Sequence, residues 1–328
     1  MRALITGVSG QDGYHMAQLL LSSGYEVLGL TSNLAKASLV FAAPSFATIC
    51  LSEFDYRKPD EIGRALSEFE PDLIFNFAAL ASGRGMFDSA QEMVELNGVF
   101  VGNLLEAIRL SPRNDHISFC QASSSEMFGN VEICPQAEDT PFNPKSPYGA
   151  AKLLAHNLVK IYRETYGIRC CSAVLFNHES IRRPENFVTR KIATAAAKIK
   201  LGLVGQFSLG NLGAKRDWGY APEYVQAMHL MALAPQSCDY IVASGTLKSV
   251  QYLCEVAFGH VGLDYRKYLK VESQNLRPIE SKNLCGDANK IARDLGWRAN
   301  RSIDAVMVEM VEFELGSAQV QNVEPAKS

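Results

Sequence analysis

A tyrosine and a lysine four residues apart, Tyr148 and Lys152, follow a Ser-Ser-Ser-Glu segment at 123–126 and a glycine-rich turn at Gly7, Gly10 and Gly13. On a helix this spacing sets phenol and ammonium one turn apart, so the cation is expected to favour the phenolate. A free tyrosine titrates at about pH 10 and is a poor base at neutral pH, which makes such help necessary. With the Ser124 hydroxyl and the Glu126 carboxylate nearby, the set suits three acts. It can take a proton from a sugar hydroxyl, pass hydride to a nicotinamide, and remove a second proton from carbon.

These side chains need elements that bring them together. Short apolar runs at Ala3–Thr6, Glu26–Leu30, Ala47–Leu51, Leu73–Phe77, His116–Gln121 and Arg169–Leu175 read as strands. Between them, Gly13–Ser23, Pro59–Phe69, Ala90–Leu110 and Pro147–Tyr166 read as helices. Such alternation predicts an α/β fold, a doubly wound parallel Rossmann sheet with right-handed crossovers. After about Leu175 the pattern loosens, and polar segments at 177–191 and 209–220 predict a smaller C-terminal substrate-binding lobe. The expected division is a cofactor domain over 1–176 with a return segment around 217–243, a lobe over mainly 177–316, and a flexible tail at 317–328. A helix is expected at Ser302–Leu315.

Tyr-x-x-x-Lys alone can arise by chance in a chain with 12 tyrosines, as two solvated residues on a helix. Position gives it meaning: the helix starts at Pro147, after the Ser-rich segment leaving the fifth strand, and active-site residues of open parallel sheets collect at strand ends. Glu126 alone reads as an exposed loop carboxylate; beside Tyr148 and Lys152 it becomes a candidate general base. Gly7, Gly10 and Gly13 sit where a strand meets a helix, so backbone N–H groups can approach a cofactor pyrophosphate. Asp55, after the third strand, reads equally as an acceptor for an adenine amino group or as a turn aspartate. The second strand ends in Ser32 and Asn33, with Lys36 beyond. It has neither the carboxylate that selects NAD nor the arginines that favour NADP, and both coenzymes stay open. His178, Arg182, Arg183, Lys191, Arg216 and Arg277 supply donors suited to a diphosphate and a nucleobase. No partner lies at ligand spacing from His178, so it reads as a structural hydrogen-bonder and no metal is expected.

The composition fits an ordinary globular enzyme: 328 residues, 47% hydrophobic, net charge −3. No basic field suggests nucleic acid, and no apolar run reaches membrane-spanning length. The first residues form no signal peptide. Eight cysteines without C-x-x-C spacing read as reduced core thiols, and a cytoplasmic location is expected.

The glycine turn, Asp55, Ser124 and the Tyr148/Lys152 pair resemble the extended short-chain dehydrogenase/reductase superfamily that acts on nucleotide-diphosphate sugars. The stretches QASSSEMFGN, PFNPKSPYGAAKL, YRETYGIRCCSAVLFNHESIRRPENFVTRKI, LGNLGAKRDWGYAPEYV and RPIESKNLCGD are similar to the GDP-mannose 4,6-dehydratase family, over nearly the whole chain. That resemblance implies a hydro-lyase with an internal redox cycle. Tyr148 deprotonates the sugar 4-hydroxyl as hydride leaves C4, Glu126 removes the C5 proton as water leaves C6, and hydride returns to C6. Ser124 holds the 4-oxygen, and Lys152 binds the nicotinamide ribose and lowers the tyrosine pKa. NADP is the implied coenzyme, with NAD possible, held by Gly7, Gly10, Gln11, Asp12, Gly13, Ser32, Asn33, Asp55, Tyr56, Ala78, Ala79, Tyr148, Lys152, Asn177 and His178. The GDP-sugar is implied to contact Ser82, Met86, Ser124, Glu126, Asn177, Arg183, Val188, Lys191, Arg216, Arg277 and Glu280. A homo-oligomer, dimer or tetramer, follows from the same likeness.

Four departures stand out. Ser124 replaces a family threonine and keeps its hydroxyl. Asn33 and Leu34 stand where the family has two arginines. The segment Ala81–Phe87 replaces a Ser-His-Val-like loop beside nicotinamide and sugar. Ile181 and Pro184 replace a proline and a glycine near the diphosphate. A nucleotide-sugar epimerase or reductase using the same pair without elimination is the alternative. A non-catalytic cofactor-sensing protein is a third reading, against which Tyr148 and Lys152 both stand.

Overall fold

The computed structural model describes residues 1–80, 87, 89–272 and 284–323. Strands β1 (Arg2–Thr6), β2 (Glu26–Thr31), β3 (Cys50–Glu53), β4 (Leu73–Asn76), β5 (Ser118–Ser124) and β6 (Cys170–Leu175) alternate with helices. The helices are α1 (Gln11–Ser22), α2 (Leu34–Val40), α3 (Pro59–Phe69), α4 (Ala90–Val94), α5 (Phe100–Leu110) and α6 (Pro147–Tyr166). A π-helical segment, Glu95–Val99, joins α4 to α5, so the helix expected over 90–110 runs unbroken in direction. Beyond Phe176 come β7 (Asn177–Glu179), α7 (Val188–Lys200), β8 (Phe207–Leu209), β9 (Lys215–Tyr220), α8 (Ala221–Leu233) and β10 (Tyr240–Val242). The chain continues through β11 (Leu247–Ser249), α9 (Val250–His260), β12 (Leu269–Val271), α10 (Asn289–Leu295) and α11 (Ile303–Val323).

Seven strands form one parallel sheet in the order β10-β6-β5-β4-β1-β2-β3. Its central strands are buried on both faces, which is why they read as continuous apolar runs rather than as alternation. One core, including Met16, Phe75, Tyr224 and Met228, packs on one side under α1 and α8. Another, including Leu66, Phe100, Leu104 and Val159, packs on the other under α3, α5 and α6. The strand order reverses between β1 and β4, and there the sheet opens a crevice at its C-terminal edge. A separate core of Ile192, Trp218, Leu253, Phe258 and Met307 joins α7, α9 and α11 above that edge.

Three boundaries differ from the sequence expectation by three residues or more. β3 begins at Cys50 rather than Ala47, because Pro44–Phe46 forms a 3-10 turn. β5 runs on to Ser124 rather than Gln121, because Ser123 and Ser124 keep pairing with Val174 and Leu175 of β6. α11 continues through Val323 rather than ending at Leu315; on that helix Glu314 pairs with Arg190 of α7 at 2.5 Å, and the Arg190 guanidinium lies over Phe313. The eight thiols are not all core either: Cys50 and Cys134 are exposed.

Candidate active site

β5 carries Ser124 at its tip, and a 3-10 turn, Ser125–Met127, presents Glu126 immediately after it. The Ser124 hydroxyl oxygen accepts the Glu126 backbone N–H at 3.2 Å, which caps that turn. α6 starts with its own cap: Ser146 Oγ accepts the Gly149 N–H at 3.1 Å, and Pro147 supplies a helical φ in the first turn. Gly149 then decides where the helix sits. A Cβ at 149 would stand 2.6 Å from the Glu126 carbonyl oxygen, so α6 rests on the Glu126 backbone only because no side chain intervenes. That contact sets Tyr148 and Lys152 against Ser124 and Glu126.

Ser124 hydrogen-bonds Tyr148, while Lys152 Nζ donates to the Ala122 carbonyl at 2.9 Å and lies 5.8 Å from the Tyr148 ring centre. Burial pushes the Tyr148 hydroxyl up to about 12; the Ser124 hydrogen bond pulls it back and the Glu126 charge raises it. Burial also brings Lys152 down to about 8, against the pull of Asp12. The expectation that Lys152 lowers the tyrosine is corrected here. Its ammonium is turned to a backbone carbonyl and is itself disfavoured by burial, so desolvation of the phenolate prevails.

Opposite this floor stands a wall built on β7, α7 and β9, and the two enclose a cleft of about 410 Å3. Asn177, His178, Arg183, Val188, Lys191 and Arg216 all line it. Glu179 is fully buried; it accepts from the Thr189 hydroxyl and pairs with Arg183 Nε at 3.1 Å. Burial raises the Glu179 carboxyl against the pull of Arg183, Thr189 and His178. The Arg183 guanidinium is also stacked 3.8 Å over the Phe187 ring, so it is held on two sides.

A seam joins floor and wall along the first turn of α1. His178 Nδ1 donates to the Phe176 carbonyl at 2.7 Å, and Nε2 lies 3.0 Å from both oxygens of Asp12. With acceptors at both nitrogens, His178 must carry both protons. Burial disfavours that charge, yet the Asp12 charge and hydrogen bond raise His178 overall. Asp12 in turn feels burial first, but His178, Gln11 and Arg183 together hold it down to about 2. Gln11 Nε2 donates to the His178 carbonyl, Ser180 Oγ donates to Gln11 Oε1, and His15 Nε2 bonds Ser180 Oγ at 2.9 Å. Gln11, Asp12 and His178, assigned to the cofactor from the sequence, thus bind one another while lining the cleft.

The glycine turn closes the cleft at the sheet's switch point. Gly7 has φ +64°, and a Cβ there would stand 2.7 Å from Ala78 N. Gly10 caps α1 without a side-chain bond, so first-turn N–H groups are left for an anion. Gly7, Gly10, Gly13 and Ala79 line the cleft. Ser32, Asn33, Asp55, Tyr56 and Ala78 are not among its lining residues. Asn33 caps α2 through the Lys36 N–H, Asp55 is paired with Arg57 at 2.9 Å, Tyr56 packs on Phe100, and Ala78 N–H is donated to Thr6 Oγ1. Ser82, Met86, Arg277 and Glu280 lie outside the described residues.

The cleft also contains residues that sequence reasoning missed. Ser123 Oγ is buried without a hydrogen-bond partner, as is Glu179 Oε1. Phe187, Asn211 and Trp218 complete the wall. The signals were slight: a third serine at a strand tip, a Gly-Asn turn after Phe-Ser-Leu, an aromatic before a helix. These residues fit a nicotinamide dinucleotide, because the glycine cradle would be filled by any Cβ and the Ser123 hydroxyl awaits a polar group. Arg183, Lys191 and Arg216 bring three cations to the wall, which suits a diphosphate.

The profile of the GDP-mannose 4,6 dehydratase family matches residues 4–310. GDP-mannose 4,6 dehydratase 1 of Arabidopsis thaliana is 39% identical, covering 98% of this chain and 91% of that protein. GDP-mannose 4,6-dehydratase of Vibrio cholerae is 35% identical over 97% of this chain and 95% of its own. Among solved structures, a UDP-glucose 4-epimerase with UDP-glucose from Thermotoga maritima superposes with a TM-score of 0.85 at 21% identity, covering 97% of this chain and 100% of its own. That last likeness speaks for the fold.

Proposed function

The chain belongs to the GDP-mannose 4,6 dehydratase family, and on that premise we propose that it removes water from GDP-mannose to give GDP-4-keto-6-deoxymannose. The observation that carries this reading is the placing of Ser124, Glu126, Tyr148 and Lys152 on one cleft floor, facing a cationic wall. A nicotinamide coenzyme bound there would supply an acceptor for hydride from C4 and the donor of that hydride to C6. The glycine turn, Ala79, Ser123 and Lys152 would hold it. Tyr148 Oη takes the 4-hydroxyl proton, and the Ser124 hydroxyl holds the 4-oxygen. A C4 ketone acidifies the C5 proton, which the Glu126 carboxylate removes as the C6 hydroxyl leaves as water with the proton that Tyr148 took; Glu126 then returns its proton to C5. Asn177, Arg183, Lys191 and Arg216 hold the GDP portion, with Val188 against the base.

The same reading divides the chain into a cofactor domain, 1–176 with the returning 217–243, and a nucleotide-sugar lobe over mainly 177–316. It takes NADP as coenzyme, since no carboxylate among the described residues at the end of β2 repels a 2′-phosphate, and a homo-oligomer as the working state. Among the described residues no helix is long and apolar enough to cross a membrane.

The test is mass spectrometry of GDP-mannose incubated with purified protein and no added coenzyme. A product lighter by one water supports the dehydratase and shows that coenzyme co-purifies. A product of unchanged mass but altered stereochemistry would replace it with an epimerase. Adding NADP or NAD to coenzyme-stripped protein then separates the two nucleotides.

A further inference from the structure

Cys134 and Cys285 are 151 positions apart in the chain, yet their thiols are in hydrogen-bond contact. Cys134 is exposed and Cys285 is buried, 8% accessible. The contact is fixed by Gln136, itself fully buried. Its backbone N–H donates to the Cys285 carbonyl at 2.8 Å, its side-chain oxygen accepts the Cys285 N–H at 2.9 Å, and its carbonyl accepts the Asp287 N–H at 2.8 Å. Gln136 and Gly286 form a parallel bridge. That bridge leaves Cys134 one residue out of register with Cys285, so a strand spacing of ~4.8 Å and a rise of ~3.3 Å per residue put their Cα atoms about 5.8 Å apart. That lies within the ~4.4–6.8 Å between Cα atoms that a disulfide spans.

We propose that Cys134 and Cys285 are a modification site, a thiol pair that a peroxide converts reversibly to a disulfide. The exposed Cys134 sulfur attacks hydrogen peroxide, the O–O bond breaks, water leaves and a sulfenic acid forms. The Cys285 sulfur then attacks the sulfenic sulfur; the S–O bond breaks, the S–S bond forms and a second water leaves. Two thiols lose two electrons and two hydrogens, and one peroxide becomes two waters. Burial pushes the Cys285 thiol up to about 12, so the closing step is slow near neutrality and quickens as pH rises.

The bond has a consequence for the cleft. Cys134 follows the Glu126 turn by eight residues, on the floor side. Cys285 lies in a segment that runs beside β9, where Leu284 bridges Arg216 and its carbonyl accepts the Asp217 N–H at 3.1 Å. Oxidation therefore ties the chain that bears Glu126 to the chain that bears Arg216. A second pair serves as an internal control: Cys120 and Cys171 sit opposite each other on β5 and β6, both buried at 0–1% accessibility. An oxidant does not reach them.

The experiment treats the reduced full-length protein with one equivalent of hydrogen peroxide at several pH values, blocks remaining thiols, and maps peptides without reduction. A crosslinked pair containing Cys134 and Cys285, two hydrogens lighter than its parts and lost with dithiothreitol, is the expected result. The oxidised protein should also melt several degrees higher, since the bond closes a long loop in the unfolded chain. Cys134→Ser, at an exposed position, should lose both the crosslink and the shift while melting like the reduced protein. Recovery of Cys134 as sulfinic or sulfonic acid with Cys285 still a free thiol would overturn the proposal. So would a crosslink that forms instead between Cys120 and Cys171.

Discussion

The floor of the cleft and the wall facing it are built on opposite plans. On the floor, the candidate catalytic side chains are placed by backbone: a strand tip for Ser124, a capped turn for Glu126, and a helix seated on that turn through Gly149 for Tyr148 and Lys152. On the wall, the groups are placed by one another. Arg183 is gripped by Glu179 and Phe187, Glu179 by Thr189, and His178 by Asp12. A backbone-placed site tolerates loss of one side chain without moving the rest, whereas a side-chain-placed site does not. The comparison teaches that floor variants should lose chemistry while keeping binding, and wall variants the reverse.

The sharpest test is Tyr148→Phe. Removal of the hydroxyl proposed to take the 4-hydroxyl proton should lower kcat by about a hundred- to ten-thousand-fold. Coenzyme affinity by fluorescence titration should stay within a factor of two or so, since α6 keeps its caps. Glu126→Gln comes next: elimination should stop, while a single round of C4 oxidation remains visible as transient coenzyme absorbance at stopped-flow times. Full turnover in that variant would remove Glu126 from its role.

The seam between floor and wall titrates. Burial brings His15 down to about 4, against the pull of Asp12. The folded protein therefore holds His15 neutral where the unfolded chain protonates it. The resulting stability is fully present above about pH 6.5 and is lost as pH falls toward 4, up to ~3 kcal/mol. Urea midpoints measured from pH 7 to 4 should fall accordingly, and His15→Gln should flatten the upper part of that curve. The smallest effect is expected on the wall. Glu179→Gln keeps shape but removes the charge that steadies Arg183, and KM for the GDP-sugar should rise about tenfold, the worth of one charge-assisted hydrogen bond. A drop in kcat with KM unchanged would erase the distinction between floor and wall.

The floor was more legible than the wall, for the same reason that it is the more robust. Its placement follows from local rules: apolar runs, Ser146-Pro147 opening a helix, and a four-residue spacing on that helix. Pairing between remote segments leaves no such trace. Asp12 and His178 stand 166 positions apart, and although His178 read as a structural hydrogen-bonder, only the fold shows that Asp12 is its partner. Asp55 read equally as an adenine acceptor or a turn aspartate, and only the fold shows its carboxylate paired with Arg57, two positions away.

The sequence by itself determined the alternation of strands and helices, the glycine turn at the switch point, the candidate catalytic set and the family. Each rests on periodicity, on residue chemistry at short spacing, or on motifs that survive as contiguous strings. Tertiary structure alone decided the protonation of His178, the high pKa of Tyr148 beside a lysine that turns away, and the meeting of Cys134 with Cys285. Those depend on desolvation and on neighbours drawn from distant segments. Burial and approach are properties of the packed chain, and no stretch of residues carries them alone.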